Sequence, residues 1–273
     1  MKLGIINSAF VQAGIETTAG LGHIARLGFD CVDIHTEAVG ISKREISRVA
    51  RASEKLGLPI ISLPFCSLGL IDFAEPVREF HISRTKRFID LARAWGARNI
   101  LLVLGEYIWQ REVICAKAQW QWGIETCRRL GDYADRKGVD IALELEPFRL
   151  SLLNSVDEMV RFVDECNHPR VRANIDISHL VLADAAPTDL CRLKGRAIQV
   201  HLSDCDGKVH GDLPPGRGVV KFAPYLQAIK EMEIEGAISI ELEYPPDPKR
   251  VVAWVAEAYS QTAALMAQVG LRG

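Results

Sequence analysis

The sequence contains no apolar run of the roughly 18 residues that a membrane-spanning helix requires. Its first residues, "MKLGIINSAF", contain neither a secretory h-region nor a cleavage site. Basic residues are not in excess either, since 33 Lys and Arg stand against 35 Asp and Glu. Such a chain is not expected to bind nucleic acid or an anionic membrane surface. We therefore expect a cytoplasmic protein whose partner is a small molecule.

Cysteine pairs and interdomain linkers are also missing. The seven cysteines are odd in number and no two have CxxC spacing, which argues against a disulfide framework and against a thiolate zinc site. A reducing compartment is the simplest inference. No proline- or serine-rich stretch divides the 273 residues, so we expect one domain over residues 1–273.

Short β-branched runs alternate with amphipathic stretches along most of the chain. The runs predict strands at 3–6, 31–35, 59–63, 99–105, 139–146, 171–176, 197–202 and 237–243. Helical periodicity occurs at 42–56, 76–96, 117–137, 155–166, 222–234 and 249–268. Because parallel strands need crossover connections, this order predicts an α/β protein, a single-domain (β/α)8 TIM barrel. An open doubly wound sheet is the alternative, but "IINSAFVQAG" after the first strand contains no GxGxxG.

Two of the predicted strands end in pairs of glutamates. "GVDIALELEP" ends with Glu144 and Glu146, and "AISIELEYP" ends with Glu241 and Glu243. Side chains alternate faces along a strand, so the members of each pair are predicted to share a face. Burying unpaired carboxylates is costly. A positive group is therefore expected to meet them, whether a basic side chain, a metal ion or a substrate.

The neighbouring strands also end in residues that bind metals. The sixth strand leads into Asp176 and His179, and the seventh carries His201 with Asp204 just after it. Active sites of (β/α)8 barrels lie at the carboxyl ends of the strands. Carboxylates around an imidazole suit a divalent cation such as Mn²⁺, Mg²⁺, Co²⁺ or Zn²⁺. A network of internal ion pairs with arginine is the alternative, but four consecutive strands with such endings favour a metal.

Other polar and aromatic features of the sequence are less specific. Glu106 follows the fourth strand, and "DLPPGRGVVKF" places Arg217 between two glycines, where the backbone can approach a ligand closely. The alternatives are a solvated side chain for Glu106 and a surface turn for Arg217. Trp109, Trp120 and Trp122 suggest either core packing or the subunit contact of a homo-oligomer, and core packing is the simpler interpretation.

These motifs make the chain resemble the sugar phosphate isomerase/epimerase group of xylose isomerase-like TIM barrels, within the AP endonuclease 2 family. The resemblance covers nearly the whole chain and rests on "LGFDCVDIH", "RTKRFIDLARAWGARNILL", "GVDIALELEP", "NIDISH", "VHLSD" with "PPGRG", and "GAISIELE". It implies one divalent metal ion, with Mn²⁺ preferred, held by Glu144, Asp176, His201 and Glu241. It also implies that His179 faces the substrate and that Glu146 lies either near the substrate or just behind the metal ligands. Arg217 and Glu106, from the same rim, complete the predicted substrate-binding set.

The chain departs from two branches of this group. Ketose 3-epimerases typically continue the fifth strand as "EPLNRYE", with a second acid that contacts the sugar, whereas this chain reads "EPFRLSLLN". Endonuclease IV enzymes carry histidines after strands three and four, where this chain has "SLPFCS" and "LGEY". The resemblance therefore favours neither a standard ketose 3-epimerase nor a DNA-repair enzyme.

The implied activity is that of a metal-dependent isomerase or epimerase acting on a sugar or keto-sugar, or a related α-hydroxycarbonyl compound. Glu144 and Glu241 would move a proton between them through a cis-enediolate, as general base and acid. A dehydratase or lyase of an inosose or keto-sugar is the alternative, because it begins with the same proton removal. A catalytically silent sugar-binding or partner subunit is a further alternative, although it would not need the full ligand set.

Overall fold

The computed structural model describes residues 1–105 and 114–272. Its strands, β1 to β8, form a closed parallel barrel in sequence order, in which β8 pairs with β1. In order they are Lys2–Ile6, Cys31–Asp33, Ile60–Cys66, Asn99–Val103, Asp140–Leu143, Val171–Asp176, Ala197–Leu202 and Ala237–Ile240. The predicted (β/α)8 architecture is confirmed.

Helices cover the outside of the barrel. Over the described residues, the helices α1 to α9 are Ser8–Gln12, Thr17–Leu27, Lys43–Leu56, Glu75–Trp95, Ala116–Lys137, Val156–Cys166, Ile177–Leu182, Phe222–Met232 and Val251–Gln268. Short 3-10 segments occur at Leu68–Ile71, Pro187–Leu193 and Pro248–Arg250. The six predicted helices are confirmed, with ends within two residues of those expected. None of the helices found in these ranges is both long enough and apolar enough to span a bilayer.

Three helices were not predicted: α1, α2 and α7. Helix α2 contains Gly20 and Gly22, which lower helix propensity and obscure its pattern. At Gly20 the helix packs close to α1, since a Cβ there would lie 3.4 Å from the Cβ of Phe10. Helix α7 begins directly at the end of β6, where Asp176 serves as its N-cap. Sequence periodicity therefore did not predict these helices, which packing and capping stabilise.

The predicted strands 139–146 and 237–243 were too long. Strand β5 ends at Leu143 and β8 at Ile240, so both glutamate pairs lie just beyond their strands. The backbone N–H of Glu144 still donates to Leu102 O at 3.1 Å, and that of Glu241 donates to Leu202 O at 3.0 Å. These bonds hold the first glutamate of each pair against a neighbouring strand, at the carboxyl end of the barrel.

Apolar side chains fill the space between the barrel and its helices. All residues of β4 and β7 are buried, as expected for parallel strands covered on both faces. Trp120 is 8% exposed and its ring meets that of Phe162 edge-on, which confirms core packing for this tryptophan. Trp109 lies outside the described residues.

Polar side chains form a hydrogen-bonded chain across the barrel interior. Ser62 Oγ donates to Asn99 Oδ1 at 2.6 Å, and Asn99 Nδ2 donates to Gln199 Oε1 at 3.4 Å. Gln199 Nε2 then donates to Asp33 Oδ2 at 3.0 Å. These bonds join the four side chains into a rigid polar floor beneath the carboxyl ends of the strands.

Candidate active site

The four predicted metal ligands come together at the carboxyl ends of β5 to β8. Ligand atoms of Asp176, His201 and Glu241 all lie within 4.8 Å of one another. His201 Nδ1 is 3.0 Å from Glu241 Oε2 and 4.0 Å from Glu144 Oε2. The parallel topology explains this arrangement, because consecutive strands of a barrel present their carboxyl ends at one rim.

Two of these carboxylates have a buried oxygen without a hydrogen-bond partner. Glu144 is 3% exposed and Asp176 is 1% exposed, and the unpaired atoms are Glu144 Oε1 and Asp176 Oδ2. Their other oxygens are fixed: Asn174 Nδ2 donates to Glu144 Oε2 at 2.7 Å, and the N–H of His179 donates to Asp176 Oδ1 at 2.9 Å. Bare carboxylate oxygens beside an imidazole fit a divalent cation.

The ion pairs at this rim involve histidine rather than arginine or lysine. Glu144 lies 3.6 Å from His179 Nδ1, and Glu241 pairs with His201. Within residues 1–105 and 114–272, no arginine or lysine forms an ion pair with Glu144, Asp176 or Glu241. The alternative of an arginine network is therefore not found among the described residues.

The pKa shifts reflect an excess of buried acids. Burial raises the pKa of Glu144. Burial alone would lower the pKa of His201, but the charge of Glu241 and the hydrogen bonds to Asp33 and Glu241 raise it well above its usual value. Burial likewise opposes ionisation of Asp176, yet the charge and N–H of His179 leave its pKa lowered. The buried carboxylates thus favour protonated, positively charged imidazoles. A divalent cation would supply the same positive charge.

Asp33 orients His201 and was missed by the sequence interpretation. It is fully buried on β2, and its Oδ2 lies 3.3 Å from His201 Nε2. A carboxylate on one imidazole nitrogen fixes the ring so that the other nitrogen can face a metal. For His201 that other atom is Nδ1, on the side of Glu241. An aspartate inside the apolar run "CVDIH" was the available signal.

His179 presents one nitrogen to the protein and the other toward the β7–α8 loop. Its Nδ1 donates to Leu145 O at 2.7 Å, and its Nε2 lies 2.6 Å from His210 Nε2. Burial would lower the pKa of His179, but the charges of Asp176, Glu146 and Glu144, the last with its Oε1 3.6 Å from Nδ1, raise it well above normal. Glu146 is 9% exposed. Substrate contacts of His179 and Glu146 stay a prediction.

His210 and Asp212 form a second group with His179 that was also missed. Nitrogen atoms of the two histidines and a carboxylate oxygen of Asp212 lie within 4.8 Å of one another. Burial and the charges of Glu241 and Asp176 raise the pKa of Asp212 well above its usual value. Both residues stand in "HGD" on the β7–α8 loop, where only Asp204 and Arg217 were predicted to matter.

The two remaining predicted contacts differ in what the structure shows. Arg217 has a half-exposed side chain whose Nε and Nη2 donate to Glu257 on α9 at 2.6 and 2.7 Å. This pair agrees with the surface-turn alternative, and a substrate role for Arg217 stays a prediction. Glu106 lies outside the described residues.

Known proteins resemble this chain over most of its length. The model of the family described as xylose isomerase-like TIM barrel matches residues 21–264. D-psicose 3-epimerase of Ruminiclostridium cellulolyticum is 27% identical over 226 residues, covering 80% of this chain and 75% of that protein. L-ribulose-5-phosphate 3-epimerase UlaE of Salmonella heidelberg is 26% identical over 284 residues, covering 99% and 97%.

Solved structures show the same fold at lower identity. The IOLI protein crystallised with a zinc atom matches with a TM-score of 0.87 at 18% identity, covering 98% of this chain and 99% of that one. D-psicose 3-epimerase from Clostridium cellulolyticum H10, solved with D-tagatose, matches with a TM-score of 0.82 at 20% identity and covers 99% of each chain. At these identities the matches establish the barrel, and chemistry must be argued from the residues.

Proposed function

Since the chain belongs to the xylose isomerase-like TIM-barrel family, we propose that it is a metal-dependent isomerase or epimerase of a sugar or sugar-like α-hydroxycarbonyl compound. The observation that carries the proposal is the convergence of Asp176, His201 and Glu241, with Glu144 beside them. The relatives named as 3-epimerases support the reaction class.

The four side chains would hold one divalent cation, for which we propose Mn²⁺, with Mg²⁺, Co²⁺ and Zn²⁺ as the other candidates. When bound, the ion would act as a Lewis acid toward the substrate carbonyl and so acidify the neighbouring C–H. Two buried carboxylate oxygens without partners, Glu144 Oε1 and Asp176 Oδ2, support this donor set.

Glu144 and Glu241 would carry the proton. Asn174 Nδ2 donates to Glu144 Oε2 at 2.7 Å. With one oxygen of Glu144 on the ion, the other would take the proton from carbon and leave a cis-enediolate. Glu241 would return a proton on the other side, as general acid. His179, whose Nδ1 is committed to Leu145 O, would donate a hydrogen bond from Nε2 to a substrate oxygen, and Glu146 would contact a hydroxyl.

Exchange of substrate hydrogen with solvent tests the proposal directly. The metal-loaded protein would be incubated in D₂O with D-psicose, D-tagatose, L-ribulose, L-ribulose 5-phosphate and an inosose, and followed by NMR and mass spectrometry. We expect one solvent deuterium at carbon without loss of water, and no exchange by Glu144→Gln. Loss of water would instead identify the dehydratase or lyase alternative. Absence of exchange with every compound, after loading with each of the four metals, would overturn the proposal.

A further inference from the structure

The β7–α8 loop brings a second imidazole, that of His210, to Nε2 of His179, the atom assigned to the substrate above. We propose that His210 contacts the same substrate oxygen as His179, and that Asp204 is the positioning residue that holds His210 there. The inference rests on the proposed function, because it assumes that His179 faces a substrate. It adds two residues of this loop to the substrate site.

The geometry leaves His179 one contact atom. Its Nδ1 donates to Leu145 O at 2.7 Å, so only Nε2 can reach a ligand. His210 Nε2 lies 2.6 Å from that atom. A substrate oxygen within hydrogen-bond range of one Nε2 therefore comes close to the other. A hydroxyl suits the pair, because it can accept from one imidazole while donating to the other.

Distances argue against a cation held between the same rings. Nitrogen ligands bind Zn²⁺ at about 2.0–2.1 Å, which separates two ligands of one ion by roughly 2.9 Å or more. The observed separation of 2.6 Å between the two Nε2 atoms is shorter and corresponds to a hydrogen bond. The two Nε2 atoms therefore contact each other directly.

The loop that carries His210 is closed by a single buried carboxylate. Asp204 is 1% exposed and its backbone exchanges two hydrogen bonds with Leu213, at 2.7 and 2.8 Å. Its side-chain oxygens accept four backbone N–H groups at 2.9 to 3.0 Å, those of Cys205, Gly216, Gly218 and Val220. These bonds tie together both ends of the segment that contains His210. A carboxylate that satisfies four donors fixes a loop strongly.

Gly218 shows how closely the loop fits this carboxylate. A Cβ at position 218 would lie 2.3 Å from Asp204 Oδ1 and 2.1 Å from Cys205 O. No side chain fits there without displacing the backbone. The loop conformation, and with it the position of His210, thus depends on contacts remote from the proposed metal ligands.

Replacement of His210 is the first test, with the ketose that the wild type exchanges fastest in D₂O. We expect His210→Ala and His210→Gln to raise KM about tenfold, the loss expected for one hydrogen bond, while bound metal stays at the wild-type level. Unchanged KM and exchange in these variants would overturn this inference but not the proposed function. Loss of metal from either variant would also overturn it, because the group would then be a cation site. Failure of wild-type exchange would instead remove the proposed function.

A double-mutant cycle tests the positioning role of Asp204. Asp204→Asn removes one acceptor oxygen and should raise KM as His210→Ala does. Added to His210→Ala, it should have no further effect on KM, because both changes act through the same imidazole. Additive effects would show that Asp204 does not act through His210. Should Asp204→Asn fail to fold, the two His210 variants alone decide whether this imidazole contacts the substrate.

The loop itself offers a matched control. Asp206 is exposed, and its Oδ1 accepts the N–H groups of Lys208 and Val209 at 2.8 Å each. Asp206→Asn removes a charge from the same loop but keeps an oxygen acceptor. We expect it to leave KM, exchange and bound metal unchanged, so that an effect of Asp204→Asn cannot be attributed to loop charge.

Discussion

At the scale of single residues, Glu241 and Glu243 have different surroundings although they stand two positions apart. Glu241 Oε2 lies 3.0 Å from His201 Nδ1, within the group proposed to bind metal. Glu243 is further along the loop, and burial together with the charge of Glu241 raises its pKa to about 7. We infer that Glu241 binds the ion and moves the proton, while Glu243 contacts substrate or water.

Glutamine substitutions separate the two roles. Glu241→Gln keeps the shape of the side chain but cannot transfer a proton, so we expect C–H exchange in D₂O to be abolished even where some metal remains. Glu243→Gln is the matched control and should reduce exchange only mildly. Bound metal and exchange would be measured for both variants. If Glu243→Gln abolished both and Glu241→Gln spared both, the assignment after β8 would be wrong.

At the scale of elements, local capping supports helices far from the site. Helix α3 begins after Ser42, whose Oγ accepts from the N–H of Glu45 at 3.1 Å. Ser155 caps α6 in the same way, through the N–H of Glu158. Periodicity predicted that these helices start at the two serines, and the first fully helical residue follows one position later, at Lys43 and at Val156.

The Ser42 cap gives a stability prediction that is independent of function. Ser42→Ala removes the acceptor and should lower the free energy of unfolding by about 1 kcal/mol, without changing exchange activity. Ser47→Ala, at an exposed position within α3, is the control and should change stability much less. Urea unfolding followed by circular dichroism would measure both. Equal effects would show that the cap contributes nothing beyond helix propensity.

At the scale of the whole molecule, the proposed ligands lie at the carboxyl ends of four adjacent strands. A cation at this point would link the carboxyl ends of β5 to β8, half of the closed barrel. Binding to the folded state alone adds about 2.7 kcal/mol of stability when free ligand is at 100 times Kd. The stability of the entire barrel should therefore depend on whether the proposed site holds a cation.

Metal removal tests this coupling. We expect EDTA to lower the melting temperature of the wild type and Mn²⁺ to restore it. His201→Ala removes a proposed ligand and should melt at one temperature with or without chelator, whereas His179→Ala should keep the wild-type response. Bound metal would be quantified in parallel. A wild type that melts identically in EDTA and in excess Mn²⁺ would contradict a structural link through the ion.

The sequence by itself determined the barrel and the positions of its chemistry. Strand-helix alternation and the residues that end each strand are local patterns, so they can be recognised in the sequence without knowledge of the fold. These endings offered several acids and histidines, from which the family resemblance singled out Glu144, Asp176, His201 and Glu241, and these four do lie together. The extent of β5 and β8 was overestimated because an alternating run continues in sequence after strand pairing stops.

Only the tertiary structure decided which side chains support that group. Asp33 meets His201 across 168 positions of sequence, and His210 meets His179 across 31. No periodicity encodes such pairs, because they depend on strand register and on a loop folded around Asp204. The sequence therefore specifies which residue types each strand end offers. The closed barrel decides which of their atoms come within hydrogen-bond distance.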